Sequence, residues 1–174
     1  MSKFWWAVYG AVVVVAAASV VVPRAFGGEF NFGLGINTDA SSRDVGLPFY
    51  PGAKQHRDGK DDESSARING AFGGFGLKIA AVKLDSNDPV DRIAPFYRDA
   101  LRKYGPILDC SAGRPYPPKA DKKSDRLDCG DDHPKPGDVV LKAGVKKNFH
   151  VVAIERDGRG SIINLVAIEM RGVD

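Results

Sequence analysis

The sequence predicts an α+β fold: an antiparallel sheet with one long helix packed on one face, preceded by an N-terminal transmembrane helix. Three stretches carry that expectation. Residues 85–105 repeat apolar side chains at helical spacing, and residues 148–171 alternate like two paired strands. Residues 4–22 hold no charge at all over about the length that spans a bilayer core. The expected divisions are 1–25 as membrane anchor or signal segment, 26–46 as glycine-rich linker or edge strand, and 47–174 as an extracytoplasmic domain.

Residues 4–22 read first as a retained anchor. Trp5, Trp6 and Tyr9 cluster at its amino end, where interfacial aromatics belong, and Pro23 and Arg24 close it. A cleaved signal peptide is the alternative, because Ala16, Ala17 and Ala18 offer a small-residue cleavage site; the protein is then secreted. Residues 30–36 alternate apolar side chains among glycines, as a flexible linker or an edge strand. Residues 47–53 form a rigid apolar turn, and residues 54–69 a charged loop.

Residues 70–76 are rich in glycine but lack the Gly-Lys-Ser/Thr ending of a phosphate loop, so a bulged strand entry is the better reading. Residues 75–84 are a strand that leads into the helix. There Asp88 is placed to cap the first turn, Pro89 suits the first helical position, and Gly105 suits the left-handed terminator. Val90, Ile93, Ala94, Phe96, Tyr97, Ala100, Leu101 and Tyr104 share one face. Pro95 falls on the polar arc, so its missing hydrogen bond faces water and one bent helix is expected.

Short strands follow at 107–110 and 138–144. The terminal hairpin turns around Arg156, Asp157 and Gly158. A three-residue loop sets Glu155 opposite Arg159, Phe149 opposite Leu165 and Val152 opposite Ile162. One face then carries Phe149, Val151, Ala153, Ile163, Leu165 and Ala167. The other carries Val152, Ile154, Ile162, Val166, Ile168 and Met170, the candidate interaction face. One helix covers one face, so residues 30–36, residues 47–53, a second copy or an apolar ligand must cover the other.

Cys110 and Cys129 bracket a proline-rich loop and are expected to form a disulfide, which requires an oxidising compartment. Their spacing fits no common zinc pattern. His56 and His133 lie in polar loops and read as solvated, and His150 lies on a strand opposite Asn164. No nucleophile–base pattern, metal helix or cofactor loop is present, so no catalytic, metal or cofactor residue is assigned. An enzyme would need His150 in a cleft beside acids. The net charge is +3, with both signs interleaved in every charged run, which argues against a nucleic-acid partner.

The turn at 47–53, Leu-Pro-Phe-Tyr-Pro-Gly-Ala, and the helix at 96–105, reading Phe-Tyr-x-x-x-Leu-x-x-x-Gly, resemble a loose group of uncharacterised bacterial envelope proteins. These carry an N-terminal membrane segment and a terminal set of strands; Pro95 departs from their pattern. The resemblance implies location and architecture. The two apolar hairpin faces and the lack of a catalytic set make the expected function a non-catalytic, single-pass envelope domain for partner binding or self-association, with a carrier of an apolar or lipid ligand, or an unrecognised enzyme, as alternatives.

Overall fold

The computed structural model describes residues 32–37, 40–56, 64–72, 74–115, 117–121, 123–130 and 132–172; the apolar stretch 4–22 lies outside them. No helix among the described residues is long and apolar enough to cross a membrane. The strands are β1 (Phe32–Asn37), β2 (Lys54–Gln55), β3 (Ser65–Phe72), β4 (Phe75–Ser86), β5 (Ile107–Asp109), β6 (Val139–Val145), β7 (Asn148–Asp157) and β8 (Gly160–Arg171). They make one antiparallel sheet in the order β1-β3-β4-β8-β7-β6-β5, with β2 added to the end of β4. The helices are the one-turn α1 (Ser42–Val45) and the long α2 (Val90–Leu101), which runs on as a 3-10 turn, Arg102–Tyr104.

The chain leaves the sheet centre at β4, crosses one face as α2 and re-enters at the far edge as β5. It then returns strand by strand until β8 zips onto β4. Val90, Ile93, Ala94, Tyr97 and Leu101 are buried against the sheet, as the helical spacing predicts. Opposite them stand Leu141, Val152, Ile154, Ile163 and Leu165, all fully buried in the same cluster. The turn at 47–53 packs into this core through Leu47 and Tyr50, whose backbone N–H donates to the Tyr97 hydroxyl at 3.1 Å. Ala40 and Val45 join the same core, and β1 joins the sheet.

The helix ends differ from the expected caps. Pro89 itself takes the N-cap position, while the Asp88 carboxylate accepts from the Tyr50 hydroxyl at 2.8 Å and from Arg92 at 2.9 Å. A phenol and a guanidinium outbid the backbone for that acid. Gly105 has φ 117 and ψ −161, outside the left-handed helical region, and follows the 3-10 turn. Pro95 is exposed, and α2 continues through it as a single element.

The charged stretch 54–69 is not all loop: residues 65–72 pair along β4, and the glycine-rich tip is a regular hairpin with Phe72 opposite Phe75 and no bulge. The terminal hairpin closes with Asp157 opposite Gly160, leaving only Gly158 and Arg159 in the loop. Val152 then faces Leu165 and Phe149 faces Ile168. The register differs from the expected one by an odd step, so the sharing of faces changes throughout. An exposed Glu–Arg pair is worth roughly 0.2–1 kcal/mol. Setting His150, Val152 and Ile154 against Ala167, Leu165 and Ile163 beneath the helix buries several aliphatic side chains at about 1.5–3 kcal/mol each. Packing decides the register.

Candidate functional site

Two surfaces stand out, one on each side of the sheet. The expected interaction face is divided between them. Val152 and Ile154 are 0% exposed in the helix-covered core, whereas Ile162, Val166, Ile168 and Met170 lie on the outer face, where the register adds Phe149 and Val151. Cross-strand partners share a face. One outer row therefore runs Ile68, Ile79, Ile168 and Phe149 across four strands, with Ile36 of β1 next in register. The neighbouring row runs Ala66, Ala81, Val166 and Val151.

Part of the outer face is covered by a segment that was not a candidate for it. The Cys110–Cys129 disulfide forms as expected, and both cysteines are buried. Lys142, an outward residue of β6, reaches Asp132 at 2.6 Å and the Asp128 carbonyl at 3.2 Å. Lys146 reaches the Asp121 carbonyl at 2.7 Å. The bridged loop thus packs over β6. The turn at 47–53 lies on the helix side, and β1 extends the sheet edge without covering either face. Over β3, β4, β8 and the near side of β7, no element among the described residues packs on the apolar rows, whose side chains are half-buried.

The inner face changes character beyond the end of α2. Rows of large aliphatics give way to Arg67, Ala80, Ala167 and His150, and then to Asn69, Lys78, Glu169 and Asn148. The alanines leave a depression that α1 and the 3-10 turn wall in. The result is a cleft of about 240 Å³ lined by Arg43, Asp44, Gly46, Lys78, Tyr104, Asn148, His150 and Glu169, among others. His150 does not face Asn164, as the expected register had it; it lies opposite Ala167 and stacks on Tyr104, with ring centroids 3.6 Å apart. The Tyr104 hydroxyl donates to the Gly46 carbonyl at 2.5 Å. Gly46, with φ 66, is what permits this approach: a Cβ there would stand 2.4 Å from the Tyr104 hydroxyl.

His150 is 7% exposed, and its Nδ1 has no hydrogen-bond partner among the described residues. Burial, aided by the Lys103 ammonium, pushes its pKa down to about 4, so the ring is neutral at pH 7. Asp44 and Glu169 do share the cleft, but each carboxylate is occupied. Asp44 accepts from the Ser41 N–H and hydroxyl and from Arg67 at 2.7 Å, contacts that hold its carboxyl well below the usual range. Glu169 is held by Arg171. Neither acid hydrogen-bonds His150, and an imidazole this weakly basic is a poor general base near neutral pH.

The other two histidines separate. His133 is exposed, as expected. His56 is 8% exposed, and its Nδ1 lies 2.5 Å from Asp85, because β2 runs alongside β4 and its end sets the ring on the same face as that carboxylate. No group of three or more metal-ligating side chains occurs among the described residues. Comparison with protein-family models, with curated proteins and with solved structures finds no match.

Proposed function

We propose that this chain is a non-catalytic, membrane-tethered domain outside the cytoplasm that associates with a second copy of itself through the outer sheet face. The observation that carries the reading is the apolar surface built by Ile68, Ile79, Val151, Val166, Ile168 and Met170, on which no element among the described residues packs. Monomeric soluble domains rarely leave large contiguous apolar patches open. A sheet face is broad and regular, suited to the self-complementary patch of a two-fold pair.

The tether favours a second copy over an unrelated partner. Nine residues separate Val22, the end of the apolar stretch, from Phe32, where β1 begins, a span of at most about 36 Å. Chains anchored in one bilayer through residues 4–22 would hold their domains at one height, and confinement raises the effective concentration of each for the other. The disulfide and the resemblance to envelope proteins agree with an oxidising, extracytoplasmic setting.

A carrier of an apolar ligand between sheet and helix has less support, because Ile93, Tyr97 and Leu101 fill that interface against Leu141, Val152 and Leu165. An enzyme has less support too, because the acids beside His150 are engaged elsewhere.

The test is analytical ultracentrifugation of the full chain in detergent, together with crosslinking in native membranes. The wild type is expected to be a dimer or larger. Ile168→Glu and Val166→Lys are expected to be monomeric with unchanged circular dichroism. A wild type that stays monomeric, or variants that assemble as well as it does, would overturn the proposal.

A further inference from the structure

The inner cleft carries an inference independent of the outer face. Its charges do not balance. Asp44 is matched by Arg67, Glu169 by Arg171, and the Lys103 ammonium donates to the Gly46 carbonyl at 2.8 Å. Arg43, on α1, and Lys78, on β4, have no ion-pair partner among the described residues. Lys78 is half-buried on the sheet floor opposite Glu169, whose carboxylate Arg171 already holds, so an added anion would relieve the ammonium.

We propose that this cleft binds a small oxyanion of the phosphate class, free or borne on a small molecule or lipid headgroup. Lys78 would supply a point charge from the floor and Arg43 a forked donor from the rim. A planar guanidinium and an ammonium on different elements suit a doubly charged group with several oxygens better than a single carboxylate. About 240 Å³ leaves room for a substituent beyond the oxyanion itself. The stacked Tyr104 and His150 rings give that substituent an uncharged wall, held in place by the Tyr104–Gly46 hydrogen bond. A cation is a poor fit, because both carboxylates of the cleft are already engaged.

The experiment is titration of the full chain in detergent with inorganic phosphate by calorimetry. A parallel arm measures binding of the same chain, in nanodiscs of neutral lipid, to vesicles with and without phosphatidylglycerol. Lys78→Gln and Arg43→Gln are the variants, Lys119→Gln is the control, and circular dichroism checks the fold. Saturable phosphate binding that weakens about tenfold or more in both variants and not in the control supports the site. Binding only to the anionic vesicles, lost in the same two variants, supports it with a headgroup as the source. Absence of saturable binding in both arms, or binding equally strong in Lys78→Gln, overturns it.

Discussion

At the residue scale, His150 is the side chain whose environment says most. It sits on a strand beneath Tyr104, excluded from water and beside an ammonium, so its charged form is disfavoured in the folded protein. Above the ordinary histidine value of 6.5, the ring is neutral in both folded and unfolded chains and contributes no pH dependence. As pH falls from 6.5 toward about 4, the unfolded chain takes up a proton that the folded one refuses, and stability drops. The loss is on the order of 3 kcal/mol and levels off below the folded value. His150→Phe keeps an aromatic ring on Tyr104 and removes the titration. Urea midpoints measured from pH 7 to pH 4 are expected to fall steeply for the wild type and much less for the variant. Equal slopes would place the cause in other groups. The sequence placed His150 on a strand, but nothing in its neighbours along the chain disclosed the stack or the cleft. Both depend on Gly46 and Tyr104, which are remote from it in sequence.

At the element scale, α2 shows how local pattern and local penalty combine. Its apolar face was legible because each of Val90, Ile93, Ala94, Tyr97 and Leu101 recurs at the helical period and buries. Its caps were not, because Asp88 answers Tyr50 and Arg92, and the position of Tyr50 is a tertiary fact. Pro95 interrupts the helix hydrogen bonds on the exposed side without ending it. Pro95→Ala restores one bond and relieves the ring's crowding of the preceding turn, offset in part by greater freedom of the unfolded chain. The variant is expected to be more stable by about 1–3 kcal/mol, read from denaturant unfolding with the sheet signal unchanged. A variant less stable than the wild type would mean that the bend serves the fit of α2 onto the sheet. The bridged loop is the other informative element. Its disulfide was read from two cysteines around a proline-rich stretch, and closing a loop of that size stabilises by about 3 kcal/mol. That the loop also covers β6 through Lys142 could be seen only once the sheet was assembled.

For the whole molecule, the two faces of one sheet have opposite fates. The inner face is sealed by α2 and the turn at 47–53, whereas no element among the described residues covers the centre of the outer face. Ile154 and Ile168 are the same residue type on adjacent strands, yet one is sealed and the other only half-buried. Ile154→Asp is expected to unfold the protein, because a carboxylate without a partner in a filled core costs several kcal/mol. Ile168→Asp is expected to leave the melting transition of the monomer within a few degrees of the wild type. Calorimetric scans of both variants decide the matter, and two equally damaging substitutions would mean that the outer face is part of the monomer's own core.

By itself the sequence determined what depends on near neighbours: the period of the helix, the alternation of most strands, the pairing of the only two cysteines and the uncharged run at 4–22. It also determined that two apolar strand faces exceeded what one helix could cover. The tertiary structure alone decided which residues shared each face, because a register slip of odd size exchanges faces while leaving every local pattern intact. It decided that residues 65–72 join the sheet despite their polar and glycine content, since pairing along β4 outweighs weak strand propensity. It also made the cleft, which joins residues from 43 to 169 by packing small side chains beyond the end of a helix. Local pattern is written in separations of two to four residues, and these decisions rest on separations of tens.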